Sequence, residues 1–284
     1  MSERGAKLLV VDGSNLLFQM FYGMPARILN QEGRPIHGTL GFVGALLKIL
    51  RMTSPTHVVV LFDGECHNER KEVDESYKAN RPDFSQLPKE EVPFSQLPDI
   101  CKALDYLKIP YAETTVCETD DVVAAYALTY GDHTDIVISS FDSDFFQLIT
   151  NRVSVLRYRG ENSVLCTPVY VQEKFGVTPA QYADYKALVG DTADNVKGVK
   201  GIGAKRAAKL MGQFGGIDAL LQNTDKIELP SVRRAIEGER EGICINQRLI
   251  KLCGCVELPF CLEALVYRYN GERTGEVLSA IGIR

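Results

Sequence analysis

Short apolar runs that end on aspartates set the pattern of the chain. Residues 7–11, KLLVV, lead into Asp12; residues 57–62, HVVVLF, lead into Asp63; residues 135–140, DIVISS, stop just before Asp142 and Asp144. Runs that are apolar without alternation mark strands buried on both faces, as in parallel sheets covered by helices. Helical periodicity follows each run, so the pattern predicts an α/β fold with a mostly parallel central sheet flanked by helices. Ligands of open α/β sheets collect beyond the carboxyl ends of the strands. One aspartate after a strand ordinarily closes a turn or caps a helix. Four in register predict one shared edge.

The stretch CETDDVVAAY, residues 117–126, adds Glu118, Asp120 and Asp121. A helix is expected to start there with Thr119 as N-cap. Acids in a first turn offset the helix dipole by about 0.3–1 kcal/mol each. Three so close repel one another and gain less from the same dipole, whereas a bound cation reverses the sign of their interaction. Asp191 and Asp194 supply a further pair. Oxygen ligands without Cys or His suit Mg²⁺ or Mn²⁺. Two such ions about 3.5–4 Å apart are a recognised device for hydrolysing phosphodiesters.

Residues 190–216, GDTADNVKGVKGIGAKRAAKLMGQFGG, then change sign. From Asn195 to Ile217 there is no acid, while Lys197, Lys200, Lys205, Arg206 and Lys209 are basic. Gly198, Gly201 and Gly203 permit a tight hairpin before a helix expected to begin near Ala204. Such a hairpin offers backbone N–H groups and lysines to a phosphate. The plainer reading is a turn between helices with a solvated basic face.

Composition narrows the picture without changing it. With 284 residues, 45% hydrophobic and 24% charged, the chain has the make-up of a globular protein with one large and one smaller domain. No apolar run approaches a membrane span, and the apolar run after MSERGAK is too short for a leader, so a cytoplasmic protein without membrane partners is expected. Scattered cysteines fit reduced thiols. Cys244, Cys253, Cys255 and Cys261 fall close together but lack the paired spacing of a zinc knuckle. There is no nucleophile-elbow serine motif, no Walker loop and no dinucleotide fingerprint. The net charge of −5 argues against nucleic acid at face value. If metals neutralise the nine acids named above, the remainder carries +4.

In order along the chain, VDGSNLLF, LFDG, YKANR, ETDDVVA, DSDFFQL and GDTADNVKGVKGIGAKRAA resemble the 5′-to-3′ exonuclease and flap endonuclease family. The chain is similar to the 5′-nuclease domain of bacterial DNA polymerase I and to phage flap endonucleases, in a free-standing form. The resemblance implies a PIN-like nuclease core over residues 1–175, with a helical arch at about 66–98. It implies a helical, helix-hairpin-helix type DNA-binding region over 176–284, with the glycine hairpin at 197–204. It assigns Asp12, Asp63, Glu118 and Asp120 to a first metal ion, Asp142, Asp144 and Asp191 to a second, and Asp121 and Asp194 to outer positions.

Within residues 69–81, ERKEVDESYKANR, the residues Arg70, Tyr77, Lys78 and Arg81 would share one helical face. The family likeness places Lys78 and Arg81 on the scissile phosphate, Tyr77 on a base, and Arg70 with Lys197, Gly198, Lys200, Gly201, Gly203, Lys205 and Arg206 on DNA. It also implies K⁺ on the hairpin carbonyls, of Val199 and Ile202. A solvated helix with an Asp74–Lys78 pair worth about 0.3–0.5 kcal/mol is the alternative for residues 69–81.

Three positions depart from the family pattern: Gln19 stands for an arginine, Phe141 for a small residue, and Lys197 and Lys200 for prolines. The function expected is a monomeric, two-metal, structure-specific 5′ nuclease acting on DNA at flaps, nicks or branched junctions, in replication or repair. The alternatives are a catalytically weak DNA-junction binding protein, in which Gln19 and Phe141 disable turnover, and an RNA-directed nuclease.

Overall fold

The computed structural model describes residues 5–64, 69–81, 84 and 87–283. Its sheet comprises β1 (Lys7–Asp12), β2 (His57–Asp63), β3 (Tyr111–Thr114), β4 (Asp135–Ser139), β5 (Val153–Arg157) and β6 (Val164–Cys166). Their spatial order is β3-β2-β1-β4-β5-β6. The first five run parallel and β6 is antiparallel to β5. The three apolar runs are β1, β2 and β4, side by side at the centre. Alternate residues face opposite layers, as the two-residue period of a strand requires: Leu8, Val10, Val59, Leu61, Ile136 and Ile138 enter one core, and Leu9, Val11, Val58, Val60 and Val137 the other.

Helices cover both faces. Against the second core pack α1 (Gly13–Gly23), α2 (His37–Thr53) and, beyond the short α3 (Glu69–Val73), α4 (Leu97–Leu107). Against the first packs α5 (Thr119–Tyr130), and this core continues without a break into the helical second half. That half holds α6 (Pro168–Phe175), α7 (Tyr182–Val189), α8 (Ala204–Phe214), α9 (Ile217–Gln222), α10 (Pro230–Gly238) and α11 (Arg240–Ile250). The chain then returns to the sheet, where Val277 of α12 (Thr274–Ala280) enters the second core. Between α7 and α8 a two-stranded ribbon, β7 (Gly190–Asp191) with β8 (Val196–Lys197), opens the glycine hairpin. α8 begins at Ala204, where the sequence pattern places it.

Three local expectations need correction. β4 is followed by a 3₁₀ turn at Asp144–Leu148 instead of an α-helix. The Asp142 amide donates to Ser140 Oγ (3.0 Å) and the Asp144 amide to Asp142 Oδ1 (2.8 Å), local side-chain bonds that compete with helix formation. Thr119 is the first residue of α5 and not its cap, which is Glu118. The Thr119 hydroxyl lies instead 2.7 Å from that of Thr114.

Residues 69–81 do not form one helix. α3 ends at Val73, the Asp74 carboxylate accepts the Ser76 amide (2.8 Å) in an Asx turn, and Lys78 is left-handed at φ 57°. Residues 66–68, 82–83 and 85–86 of the expected arch lie outside the described residues.

Candidate metal centre and nucleic-acid interface

The acid edge is built at strand ends. Asp12 closes β1 and caps α1, accepting the Asn15 amide (2.9 Å). Gly13 makes the sharp turn possible: a Cβ there would meet the Phe62 ring at 2.5 Å and the Leu61 carbonyl at 2.8 Å. The Ser14 hydroxyl accepts the Asp63 amide (2.8 Å), so the ends of β1 and β2 are tied together. Ser140, after β4, donates to Asp12 Oδ2 (2.8 Å). Asp12, Asp63, Asp120 and Asp142 are thereby electrostatic neighbours. Burial pushes the Asp12 carboxyl up to about 7, and the charges of Asp63 and Asp142 add to that against hydrogen bonds from Asn15 and Ser140. Burial, then the charge of Asp142, likewise holds Asp120 well above the carboxylate range.

Basic groups from residues 69–81 hold the flank of this group. Lys78 Nζ lies 2.5 Å from Glu118 Oε1 and 3.9 Å from Asp120 Oδ2. Arg70 pairs with Glu118 and bonds Asp121 through both terminal nitrogens (2.9 and 2.8 Å). Although burial opposes it, the Lys78 and Arg70 charges hold the Glu118 carboxyl below its ordinary value. Arg70 is thus turned inward, its side chain 12% exposed, where the sequence reading had it face DNA. Tyr77, expected to stack on a base, is 3% exposed and donates its hydroxyl to Asp194 Oδ2 (3.3 Å). Arg81 reaches Asp194 Oδ1 (3.2 Å), and the Lys78 amide donates to the Asp194 carbonyl (3.0 Å). The four residues converge through these tertiary bonds and not through a shared helix face.

The second group gathers Asp144, Asp191 and Asp194, whose carboxylate oxygens lie within 4.8 Å of one another, so Asp194, expected at an outer position, sits beside two of the acids expected on the second ion, while Asp142, expected with them, neighbours Asp12 and Asp120 as well as Asp144. Sequence reasoning missed its cationic member, Lys186. Its buried ammonium pairs with both Asp144 and Asp191. Burial raises Asp144 to about 7 despite Lys186, whereas at Asp191 the Lys186 charge prevails over burial and lowers the carboxyl. A lone lysine five residues before an aspartate carries no signal in sequence, since the solvated reading is the default. Ser140 was missed for a similar reason, although the serines ahead of the DSD turn are the kind of small hydroxyl that closes such turns. The donors fit divalent ions: all are hard oxygens, crowded and partly desolvated.

The basic hairpin adjoins the second group through the β7–β8 ribbon. Gly190 is at φ 87° and Gly198 packs against the Val189 carbonyl with no space for a Cβ. Asn195, left-handed at φ 60°, donates from Nδ2 to the Ser76 carbonyl (2.7 Å). Lys197, Lys200, Lys205 and Arg206 are exposed, and Arg206 donates to the Gly201 carbonyl (2.6 Å). The Val199 and Ile202 side chains are buried, and the Val199 carbonyl accepts the Ile202 amide (2.9 Å).

Carboxylates gathered at the edge of a parallel sheet, next to a basic glycine hairpin, make a site of the kind that can hold divalent cations beside a polyanion. The family model of the 5′-3′ exonuclease N-terminal resolvase-like domain matches residues 7–176, that of the 5′-3′ exonuclease C-terminal SAM fold matches residues 177–272, and the chain belongs to the 5′-3′ exonuclease family. It is 35% identical over 267 residues to thermostable DNA polymerase I of Thermus filiformis, covering 93% of this chain and 31% of that one. It is 30% identical over 290 residues to DNA polymerase I of Bacillus subtilis, covering 99% and 32%. The chain thus spans about a third of the length of these curated relatives. Among solved structures it is similar to the T5 D15 protein co-crystallised with metal ions, at TM-score 0.70 and 25% identity, over 86% of this chain and 88% of that one. The catalytic core of Rad2 in complex with DNA shares the fold at TM-score 0.60 and 15% identity, over 98% and 93%.

Proposed function

We propose that the protein is a structure-specific 5′ nuclease that hydrolyses DNA phosphodiesters at 5′ flaps or ends with two divalent ions, Mg²⁺ or Mn²⁺, in replication or repair. The observation that carries this reading is the gathering of Asp12, Asp63, Asp120 and Asp142 at one buried edge, where burial first and the neighbouring carboxylate charges second hold Asp12 and Asp120 above their ordinary range. Such crowding costs free energy unless a cation is shared. A bacteriophage T5 flap endonuclease, 25% identical at TM-score 0.68, has been solved in a complex with DNA and metal ions, which supports the same use of this edge.

In this proposal Asp12, Asp63, Glu118 and Asp120 hold one ion, Asp142, Asp144 and Asp191 the other, and Asp121 and Asp194 the outer positions. When bound, the ions supply Lewis acidity to the attacking and leaving oxygens. Lys78 and Arg81 orient the scissile phosphate, and Tyr77 stacks on a base once released from Asp194. Lys197, Lys200, Lys205 and Arg206 grip duplex phosphates, with the Val199 and Ile202 carbonyls offered to K⁺. Residues 1–175 form the nuclease core, residues 176–284 form the DNA-binding region, and the protein acts as a monomer in the cytoplasm.

A 5′-labelled flap, prepared as DNA and as RNA, tests the reading. Cleavage of the DNA flap is expected to need Mg²⁺ or Mn²⁺, to stop with chelator and to fall by several orders of magnitude in Asp142→Asn. Full cleavage in excess chelator would overturn the metal assignment. Preference for the RNA flap would overturn the substrate assignment.

A further inference from the structure

β5 lies beside β4 and runs parallel to it, so its carboxyl end, Arg157, reaches the edge that carries Asp142, one strand spacing or about 4.8 Å along the sheet. The chain is held there from several sides. Gln19 of α1 donates from Nε2 to the Tyr158 carbonyl (2.7 Å). The Arg159 amide donates to Ser163 Oγ (2.9 Å), which donates to the Gly160 carbonyl (2.6 Å), with Gly160 at φ 59°. Phe141, directly before Asp142, is fixed as firmly: its amide donates to Asn15 Oδ1 (3.1 Å) and its carbonyl accepts from Arg157 (3.0 Å).

Two guanidinium groups lie over the Phe141 ring, Arg157 at 5.1 Å and Arg159 at 5.0 Å from its centroid. Arg159 is exposed, and among the described residues neither arginine pairs with a carboxylate. In a chain of net charge −5, next to a cluster of acids, two arginines are thus held apart from the negative charge around them. Stacking on a ring fixes the plane of a guanidinium and leaves its edge of N–H donors open, the geometry that suits a phosphate.

Resting on the nuclease reading above, we infer that Arg159, stacked on Phe141 and backed by Arg157, binds a backbone phosphate of the strand that crosses the acid edge, beside the phosphate that is cut. Gln19 takes part by pinning the Tyr158 carbonyl between the two arginines. Phe141 then serves as the platform of a phosphate site and does not disable the centre.

The test compares wild type with Arg159→Ala and Arg159→Lys on flap DNA in Ca²⁺ over a range of salt, with methylphosphonates replacing single phosphates around the cut. For Arg159→Ala, the slope of log K against log salt is expected to shrink by about 0.9 for a duplex phosphate or about 0.7 for a single strand. Arg159→Lys should keep the slope. In wild type, one neutral linkage within a nucleotide or two of the cut should weaken binding several-fold, and in Arg159→Ala that same linkage should cost nothing more. An unchanged slope, or equal sensitivity of both proteins at every linkage, would overturn the site while leaving metal-dependent cleavage by wild type intact. Failure of wild type to bind or cut DNA at all would overturn the nuclease reading and this site with it.

Discussion

Lys186 shows how a single side chain can balance an acid cluster. Its ammonium lies between Asp144 and Asp191, all of them largely shielded from water. Removing one partner of a buried charge pair typically costs about 3–5 kcal/mol, because the other charges are left uncompensated. Lys186→Met, which keeps the apolar stem, is therefore expected to lower the melting temperature of the metal-free protein, and Mg²⁺ should recover more of the loss than it adds to wild type. Equal Mg²⁺ increments in the two proteins would show that Lys186 does not share its carboxylates with an ion. The sequence makes the acids at this site legible and leaves the lysine hidden for one physical reason. A carboxylate after an apolar run has its position set by the strand, whereas the destination of a lysine on a helix depends on which face the tertiary packing turns inward.

The same division holds for elements. β1, β2 and β4 are legible because a buried parallel strand needs a continuous apolar run, and α8 because a glycine hairpin precedes it. β3 and β5 are not, since Tyr111–Thr114 is only four residues long and Val153–Arg157 alternates with polar positions. Residues 69–81 mislead because helical spacing predicts a face that the Asx turn at Asp74 destroys. Their convergence arises instead from Asp194 and Glu118, which bind Tyr77, Lys78 and Arg81 from other parts of the chain. If this segment acts on the scissile phosphate, Lys78→Ala should lower single-turnover cleavage by about 10²-fold, the scale of losing one stabilising donor, with flap binding in Ca²⁺ nearly normal. Lys205→Ala, on the exposed start of α8, should weaken binding and leave saturated cleavage near wild type. Loss of affinity alone in both variants would remove residues 69–81 from the chemistry.

For the whole molecule, the acid edge ties stability to pH and, in the use proposed for it, to metal. Asp12 and Asp144 hold their protons to about pH 7, and Asp120 is raised as well, whereas an unfolded chain releases them near 3.8. Between those limits the native state binds more protons than the unfolded state, so the slope of unfolding free energy with pH is negative. The contribution of Asp12 and Asp144 falls as pH rises from about 4 through about 7, and that of Asp120 changes in the same sense. Glu118 and Asp191 work in the opposite sense, because their lowered values add stability above the unfolded value that is lost only as pH falls through the folded one. Their window lies below that of the other three. The metal-free protein should therefore melt several degrees lower at pH 8 than at pH 5. Metal binding competes with these protons, so saturating Mg²⁺ should raise the melting temperature more at pH 8 than at pH 5. Asp12→Asn removes one raised carboxyl and should flatten the metal-free profile, which separates the acid edge from the general effect of net charge. A metal-free melting temperature that rises from pH 5 to pH 8, unaltered in Asp12→Asn, would mean that the edge is not crowded enough to require a cation.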